Sequence, residues 1–426
     1  LTTNFDANNS DTAASTNTGC AHACDAQIPA ICGGQPVRSE KVYYGRQWIN
    51  DDDVKAVSET LLSDYITCGP KVDELEHRLE KFTGAKHAVV CTNDTSALHL
   101  ACVAAGVGSG DEVITTPLTF MASANCALYC GAKPVFADIR EDTYNIDPDS
   151  IEQHITENTK AIVAVDYTGQ VVEVERIRAL CDKYHLVFIE DAAHSIGSKY
   201  NGTPIGSLAD MTCFSFHPVK TITSGEGGAI VTNNDEYAHK LNLLRSHGME
   251  HDHSKFVTPA DEDNSGAWYY EQQMLGFNYR MTDFQAALLI SQMNRIDSFI
   301  ARRKAIVKRY NEAFADVPEI IVQKEIPQSD TSRHLYELRL DLSKLKCTRR
   351  EFFDAMSAEN VQCQVHYIPV YWMPVYKELG YERGLCPVAE KVYGSIMSIP
   401  LYPKITDDEV GDVIKAVLKL VNWYRK

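Results

Sequence analysis

Residues 211–230 read MTCFSFHPVKTITSGEGGAI. Residues 213–216 form a short apolar run of strand length, and Lys220 lies just past its end. Gly225-Glu226-Gly227-Gly228 marks a turn, and Ala229-Ile230-Val231 begins a second strand. A lysine with apolar structure on both sides differs from the solvated lysines of helix faces. Upstream, Val187-Phe188-Ile189 has a buried-strand pattern that ends in Glu190 and Asp191, followed by Ala192-Ala193-His194.

An acid at a strand's C-terminal end and a lysine after the next strand suit a pyridoxal phosphate (PLP) site. There the lysine amine holds the aldehyde as a Schiff base, and the carboxylate keeps the pyridine nitrogen protonated. Singly, an Asp after a strand is commonly a helix cap, and a His is usually a satisfied polar group. The ordered set Asp191, His194, Ser215 and Lys220 points to chemistry.

Outward from this centre the chain alternates strands and helices. Strands are predicted at 89–91, 112–115, 134–137, 161–165 and 186–189, with helices at 97–105, 122–129 and 174–184. That repeat predicts an α/β fold with a mostly parallel sheet covered on both faces and active residues at strand C-terminal ends. Thr95 and Ser96 open a helix after the first strand, where free N–H groups and the dipole suit a phosphate; the plainer alternative is an N-cap by Asp94, Thr95 or Ser96. Gly106-Val107-Gly108-Ser109-Gly110 follows a helix and precedes a strand, the reverse of a dinucleotide loop, so a nicotinamide site is excluded there. Asp283 is expected to cap one long helix reaching about residue 314, which would bridge into a smaller C-terminal α/β domain. Strands at 336–340 and 361–365 and helices at 349–359 and 407–424 would build that domain.

Glu190-Asp191-Ala192-Ala193-His194, Ser215-Phe216-His217-Pro218-Val219-Lys220 and Gly225-Glu226-Gly227-Gly228 together resemble the DegT/DnrJ/EryC1/StrS family of sugar aminotransferases, from about Gly33 to the C-terminus. The resemblance implies the fold type I of PLP-dependent aminotransferases. Residues 1–32 would be a disordered extension, 33–295 the large PLP-binding domain and 296–426 the smaller domain. It implies Lys220 and Asp191 as catalytic residues, Phe120 and His194 on opposite faces of the ring, and Thr95, Ser96 and Ser215 at the phosphate. Asp94 departs from the small residue common in the family, and a carboxylate there would repel a phosphate. Gly276-Phe277-Asn278-Tyr279-Arg280 resembles the family's Gly-x-Asn-x-Arg element, in which the asparagine reaches the neighbouring subunit's PLP phosphate; a homodimer with shared sites is implied. Thr67, His217, Arg280, His366 and Tyr367 are the candidate substrate contacts. His-Pro-Val-Lys is most similar to 4-aminotransferases acting on UDP-linked 4-keto-6-deoxy-N-acetyl sugars, with L-glutamate as the expected amino donor. Another nucleotide keto sugar (a dTDP-3-keto or 4-keto sugar) and a non-catalytic PLP-binding regulator are the alternatives.

Composition sets the outer limits. The chain has 426 residues, enough for two domains, with 44% hydrophobic and 23% charged residues. A net charge of −17 argues against nucleic acid and anionic membranes as partners. Anionic substrates would then need a locally positive pocket, for which Lys220, Arg245, Arg280 and several histidines are candidates. The 13 cysteines are odd in number and scattered, which favours a reducing, cytoplasmic setting over a disulfide framework. No run approaches the ~18 apolar residues of a membrane span, and the N-terminus has no signal-peptide pattern. Cys20, His22, Cys24 and Cys32 lie close together, but without a second Cys pair; fortuitous cysteines in a tail are preferred to zinc, and no metal is expected.

Overall fold

A computed structural model describes residues 28–426. Seven strands rich in Val, Ile, Ala and Phe pair into one sheet: β1 (His87–Cys91), β2 (Glu112–Thr115), β3 (Lys133–Phe136), β4 (Thr159–Val165), β5 (Val187–Asp191), β6 (Met211–Ser215) and β7 (Gly228–Thr232). Their spatial order is β1-β7-β6-β5-β4-β2-β3. All neighbours run parallel except β7, which is antiparallel to both β1 and β6. Every residue of β6 is buried, because successive side chains enter different cores. Phe214 packs into one face, and Met211 and Cys213 pack into the other. The mostly parallel α/β architecture expected from the alternation is the one found.

β5 and β6 are parallel with Asp191 opposite Cys213, so both end on the same edge. The chain leaves β5 at Asp191 and β6 at Ser215 toward that edge, the usual place for a site in such a sheet.

Two local expectations need correction. The helix expected over 283–314 is two helices, Asp283–Met293 and Ile296–Phe314. Asn294 and Arg295 break it: their N–H groups turn to i→i−3 carbonyls, and the Arg295 guanidinium is held by buried Asp53. Asp53 also accepts from Ser291 Oγ at 2.6 Å and Gln292 Nε2 at 2.7 Å, which fixes the break against helix Asp51–Leu61. Thr282, paired with Gln285, caps the helix that Asp283 was expected to cap. The Asp283 carboxylate instead accepts the N–H groups of Gly69 and Lys71 at 2.8 and 2.9 Å, at the start of helix Pro70–Thr83.

The second core gathers Ile306, Phe314, Leu338, Phe352, Met397 and Val417. It covers a three-stranded antiparallel sheet of β8 (Ile320–Ile321), β9 (Tyr336–Leu340) and β10 (Ile396–Ile399), with β9 central. The strand expected over 361–365 is reduced to single bridges, Val42 with Val361 and Gln364 with Ser398. Val42 belongs to this second core. Ala30 and Val37 N–H groups both donate to Glu359 at 2.8 Å, so the chain from Ala30 to Val42 packs with the C-terminal part rather than on the large sheet. A third cluster, with Leu118, Phe136 and Tyr167 on one side and Tyr371, Tyr376 and Ile396 on the other, joins the two parts. Cys20, His22 and Cys24 lie outside the described residues. Among the described residues, no helix is long and apolar enough to cross a membrane.

Candidate active site

The loop after β6 closes on itself. The Phe216 N–H donates to Gly227 O at 2.9 Å, and Phe216 O accepts from Ser224 N–H and Thr223 Oγ1 at 3.0 and 2.9 Å. Lys220 sits inside this closed loop, its own N–H donating to His217 O at 2.9 Å. Gly225 takes φ +82°, a left-handed conformation that suits glycine. Gly228 answers to a close approach: a Cβ there would lie 2.4 Å from the carbonyl carbon and oxygen of Asn93. The missing side chain lets the head of helix Asp94–Ala104 stand directly against the lysine loop.

Asn93 caps that helix by accepting the Ser96 N–H at 2.8 Å. The cap is therefore none of Asp94, Thr95 or Ser96, which form the first turn, where backbone N–H groups precede the intrahelical ladder. Asp94 Oδ1 is buried without a hydrogen-bond partner. Burial, then the Asp191 charge, pushes the Asp94 carboxyl well above its ordinary range, with Lys220 opposing.

Asp191 is fixed at the end of β5 by Ser123 Oγ, which donates to Oδ2 at 2.6 Å, and by the Ala193 N–H, which donates to Oδ1 at 3.1 Å. Burial raises its carboxyl; the two hydrogen bonds and Lys220 pull it back. Burial lowers the Lys220 amine to about 8, against the opposing pull of Asp94 and Asp191.

A wall of rings completes the chamber. His194 Nε2 and the Tyr367 hydroxyl are 3.0 Å apart, with the rings stacked at 19°. Tyr367 also meets Phe120, at 6.2 Å between centroids and 59°. Phe120 is 54% exposed, a large apolar ring left open beside the lysine chamber. His194 Nδ1 is buried with no partner. Burial, Lys220 and His366 all lower its pKa, so the ring is neutral. His366 is lowered to about 4 by burial and by Lys220. The Lys220 charge acts on Asp94, Asp191, His194, His217, His334 and His366. Ser215 ends β6 at the same edge, buried.

The remaining candidates lie on neighbouring segments: Met281 packs against Gly227 of the lysine loop, and Tyr279 O accepts the Thr92 N–H at 2.8 Å. Asn278 is exposed and pairs through its backbone with Ser246. Arg280 Nη1 donates to Ser246 Oγ at 3.0 Å. Arg280 lines a separate cavity of about 660 Å³ together with Tyr65, Cys68, Gly69 and His251. Thr67 is exposed beside that cavity, bridged to Thr282. Arg245 is not a free positive group: Glu76 pairs with it, and Val90 O accepts from it at 3.0 Å.

Ser123, Asn93, His334, whose ring lies 4.5 Å from that of His194, and the pair Glu337 and Ser398 were not foreseen from the sequence. Asn93 carried a usable signal, since Asn directly before a helix is among the best caps. The others come from distant stretches and are assembled only by the fold.

The chamber fits a phosphorylated pyridine aldehyde. Lys220 offers an amine of lowered pKa and Asp191 a braced carboxylate. Phe120 and His194, whose Nδ1 is unpartnered, could flank its ring, and the helix head could offer the Thr95 N–H to its phosphate. Fold and site together define a PLP-dependent sugar aminotransferase. The chain belongs to the DegT/DnrJ/EryC1/StrS aminotransferase family, whose model matches residues 47–418. It is 41% identical over 386 residues to the spore coat polysaccharide biosynthesis protein SpsC of Bacillus subtilis, covering 90% of this chain and 98% of that one. It is 38% identical over 386 residues to the UDP-4-amino-4,6-dideoxy-N-acetyl-beta-L-altrosamine transaminase of Campylobacter jejuni, covering 89% of this chain and 98% of that one. Helicobacter pylori PseC, an aminotransferase of pseudaminic acid biosynthesis, superposes with a TM-score of 0.82 at 33% identity, over 90% of this chain and 100% of that one.

Proposed function

We propose that the enzyme transfers the amino group of L-glutamate to C4 of a UDP-linked 4-keto-6-deoxy-N-acetylhexosamine. The observation that carries the chemistry is Lys220 just past β6, on the sheet edge where β5 ends in Asp191, its amine lowered to about 8 by burial against the pull of Asp94 and Asp191. The likeness to the Campylobacter transaminase supports the choice of sugar and nucleotide. Bound pyridoxal phosphate supplies an electron sink for the carbanion left when the donor's Cα loses its proton.

The chain's own residues divide the remaining work. Lys220 Nζ would hold the cofactor, and the same nitrogen, when free, would move the proton of the donor's Cα. Asp191, braced by Ser123 and Ala193, keeps a proton on the ring nitrogen. Thr95, Ser96 and Ser215 take the phosphate; Phe120 and His194 confine the ring. His217, His366 and Tyr367 line the approach to Lys220 and would meet the sugar.

The likeness of Gly276-Phe277-Asn278-Tyr279-Arg280 to the family's Gly-x-Asn-x-Arg element supports a homodimer in which Asn278 serves the partner's site. The protein would work in the cytoplasm, where a nucleotide sugar and glutamate are at hand. The test is a panel of keto-sugar nucleotides offered to protein loaded with pyridoxamine phosphate. The UDP-4-keto-6-deoxy-N-acetylhexosamine should restore the aldehyde spectrum fastest; a faster dTDP-linked or 3-keto substrate would overturn the assignment.

A further inference from the structure

Glu337 and Ser398 face each other across β9 and β10, beneath His366. Glu337 is completely buried, and its nearest polar neighbours are hydroxyls, those of Ser398 and Tyr167. A buried carboxyl set against hydroxyls costs stability that an apolar residue in the same strand would not. Ser398 is locked by its backbone: its N–H donates to Gln364 O at 2.7 Å, and its carbonyl accepts the Gln364 N–H at 3.1 Å. Only the hydroxyl hydrogen is free to turn.

That hydroxyl donates to Glu337 Oε1 and lies 2.6 Å from His366 Nδ1. The carboxyl itself is 4.0 Å from Nδ1, so Ser398 is the link between them. A serine hydroxyl has one hydrogen. With that hydrogen on Glu337, Ser398 Oγ accepts the Nδ1–H of His366. This direction belongs to the ionised carboxylate; burial pushes the Glu337 carboxyl up to about 8, and a proton on Oε1 would donate to Ser398 Oγ and reverse the chain. The Tyr167 hydroxyl donates to the His366 carbonyl and holds the backbone of the same residue. His366 is therefore oriented from two directions, and Nε2, on the far edge of the ring, keeps its lone pair.

We propose that Glu337 and Ser398 are positioning residues that hold His366 in its Nδ1–H tautomer, so that Nε2 accepts a hydrogen bond from a hydroxyl of the bound sugar. The inference rests on the reading of the substrate as a nucleotide sugar. A sugar ring offers hydroxyl donors, whereas a phosphate or a ketone oxygen offers none and would need the opposite tautomer. The position matches that role: Tyr367, the next residue, touches both Phe120 and His194, and the Lys220 charge reaches His366.

The first test is nitrogen-15 NMR of histidine-labelled holoenzyme, with His366 assigned by the signal lost in His366→Gln. Above about pH 8, with Glu337 ionised, the expected pattern is a protonated Nδ1 and an unprotonated Nε2; a protonated Nε2 there overturns the proposal. The second test is kinetic. Ser398→Ala should raise KM for the keto-sugar nucleotide about tenfold and leave the glutamate half-reaction within about twofold. Ser398→Thr, which keeps the hydroxyl, should restore most of the loss. Combining Ser398→Ala with His366→Gln should add nothing to His366→Gln alone, because the serine acts through the histidine. Equal slowing of both half-reactions, or effects that multiply, would refute the relay. If unmodified enzyme turns over no keto-sugar nucleotide, the substrate reading has failed instead, and the NMR pattern alone decides the relay.

Discussion

Ser123 Oγ donates to Asp191 Oδ2 at 2.6 Å, inside the sheet edge where neither group meets water. The bond opposes the rise in Asp191 pKa that burial causes, and so helps keep the carboxylate charged. Ser123→Ala removes that brace. Loss of a hydrogen bond to a charged group is worth ~1.5–3 kcal/mol. The glutamate half-reaction should slow about tenfold or more, with cofactor still bound, as read by stopped-flow absorbance.

Asp94 stands at the head of the helix offered to the phosphate, its Oδ1 buried and unpartnered. Its pKa is raised by burial and by Asp191, so the group is neutral at low pH and becomes a repelling anion as pH rises. Asp94→Asn stays neutral throughout. It should bind pyridoxamine phosphate, which needs no lysine bond, about fivefold more tightly, with the advantage widening as pH increases. Tryptophan fluorescence titration measures this; weaker binding by the variant would show that Asp94 assists the phosphate.

Only an unprotonated amine attacks an aldehyde. Burial lowers the Lys220 amine from 10.5 to about 8, so roughly a quarter is neutral at pH 7.5. The rate at which apoprotein captures pyridoxal phosphate should climb with pH and level off above about 8. A rate still climbing toward 10.5 would mean the amine is not in this environment.

Gly228 gives way to the Asn93 carbonyl, which a Cβ would approach to 2.4 Å. Gly228→Ala forces helix head and strand apart and should cost about 3 kcal/mol of stability. Gly108→Ala is the control, because a Cβ there meets nothing within 4 Å; it should change stability by about 0.5 kcal/mol or less. Thermal melts of the two variants compare them directly.

The central part of this molecule could be read before its structure. β6, Lys220 and the glycine turn are contiguous in sequence, and a buried strand carries its own signature in apolar run length, so the sheet and the order Asp191, His194, Ser215, Lys220 were legible. Ser123 was not, because its partner is 68 residues away in the chain and a serine on a helix gives no periodic signal. The break at Asn294 and Arg295 was hidden for a similar reason. Local propensity there permits a continuous helix, and distant acceptors, the buried Asp53 carboxylate and the Trp48 carbonyl, draw Arg295 aside. Asp283 illustrates a third limit: its position at a helix start is right for a cap, but its carboxylate caps a neighbouring helix instead. The bridge-only pairing at Val361 and Gln364 shows that β-propensity without a continuous partner does not make a strand.

In the proposed function Lys220 is the residue that bonds the cofactor. Borohydride reduction of the holoenzyme, followed by digestion and peptide mass spectrometry, fixes the attachment permanently and reads its position. A single pyridoxyl adduct is expected, on the peptide containing Lys220, and none in Lys220→Ala. An adduct on another lysine, or an unchanged adduct in the variant, would contradict that assignment.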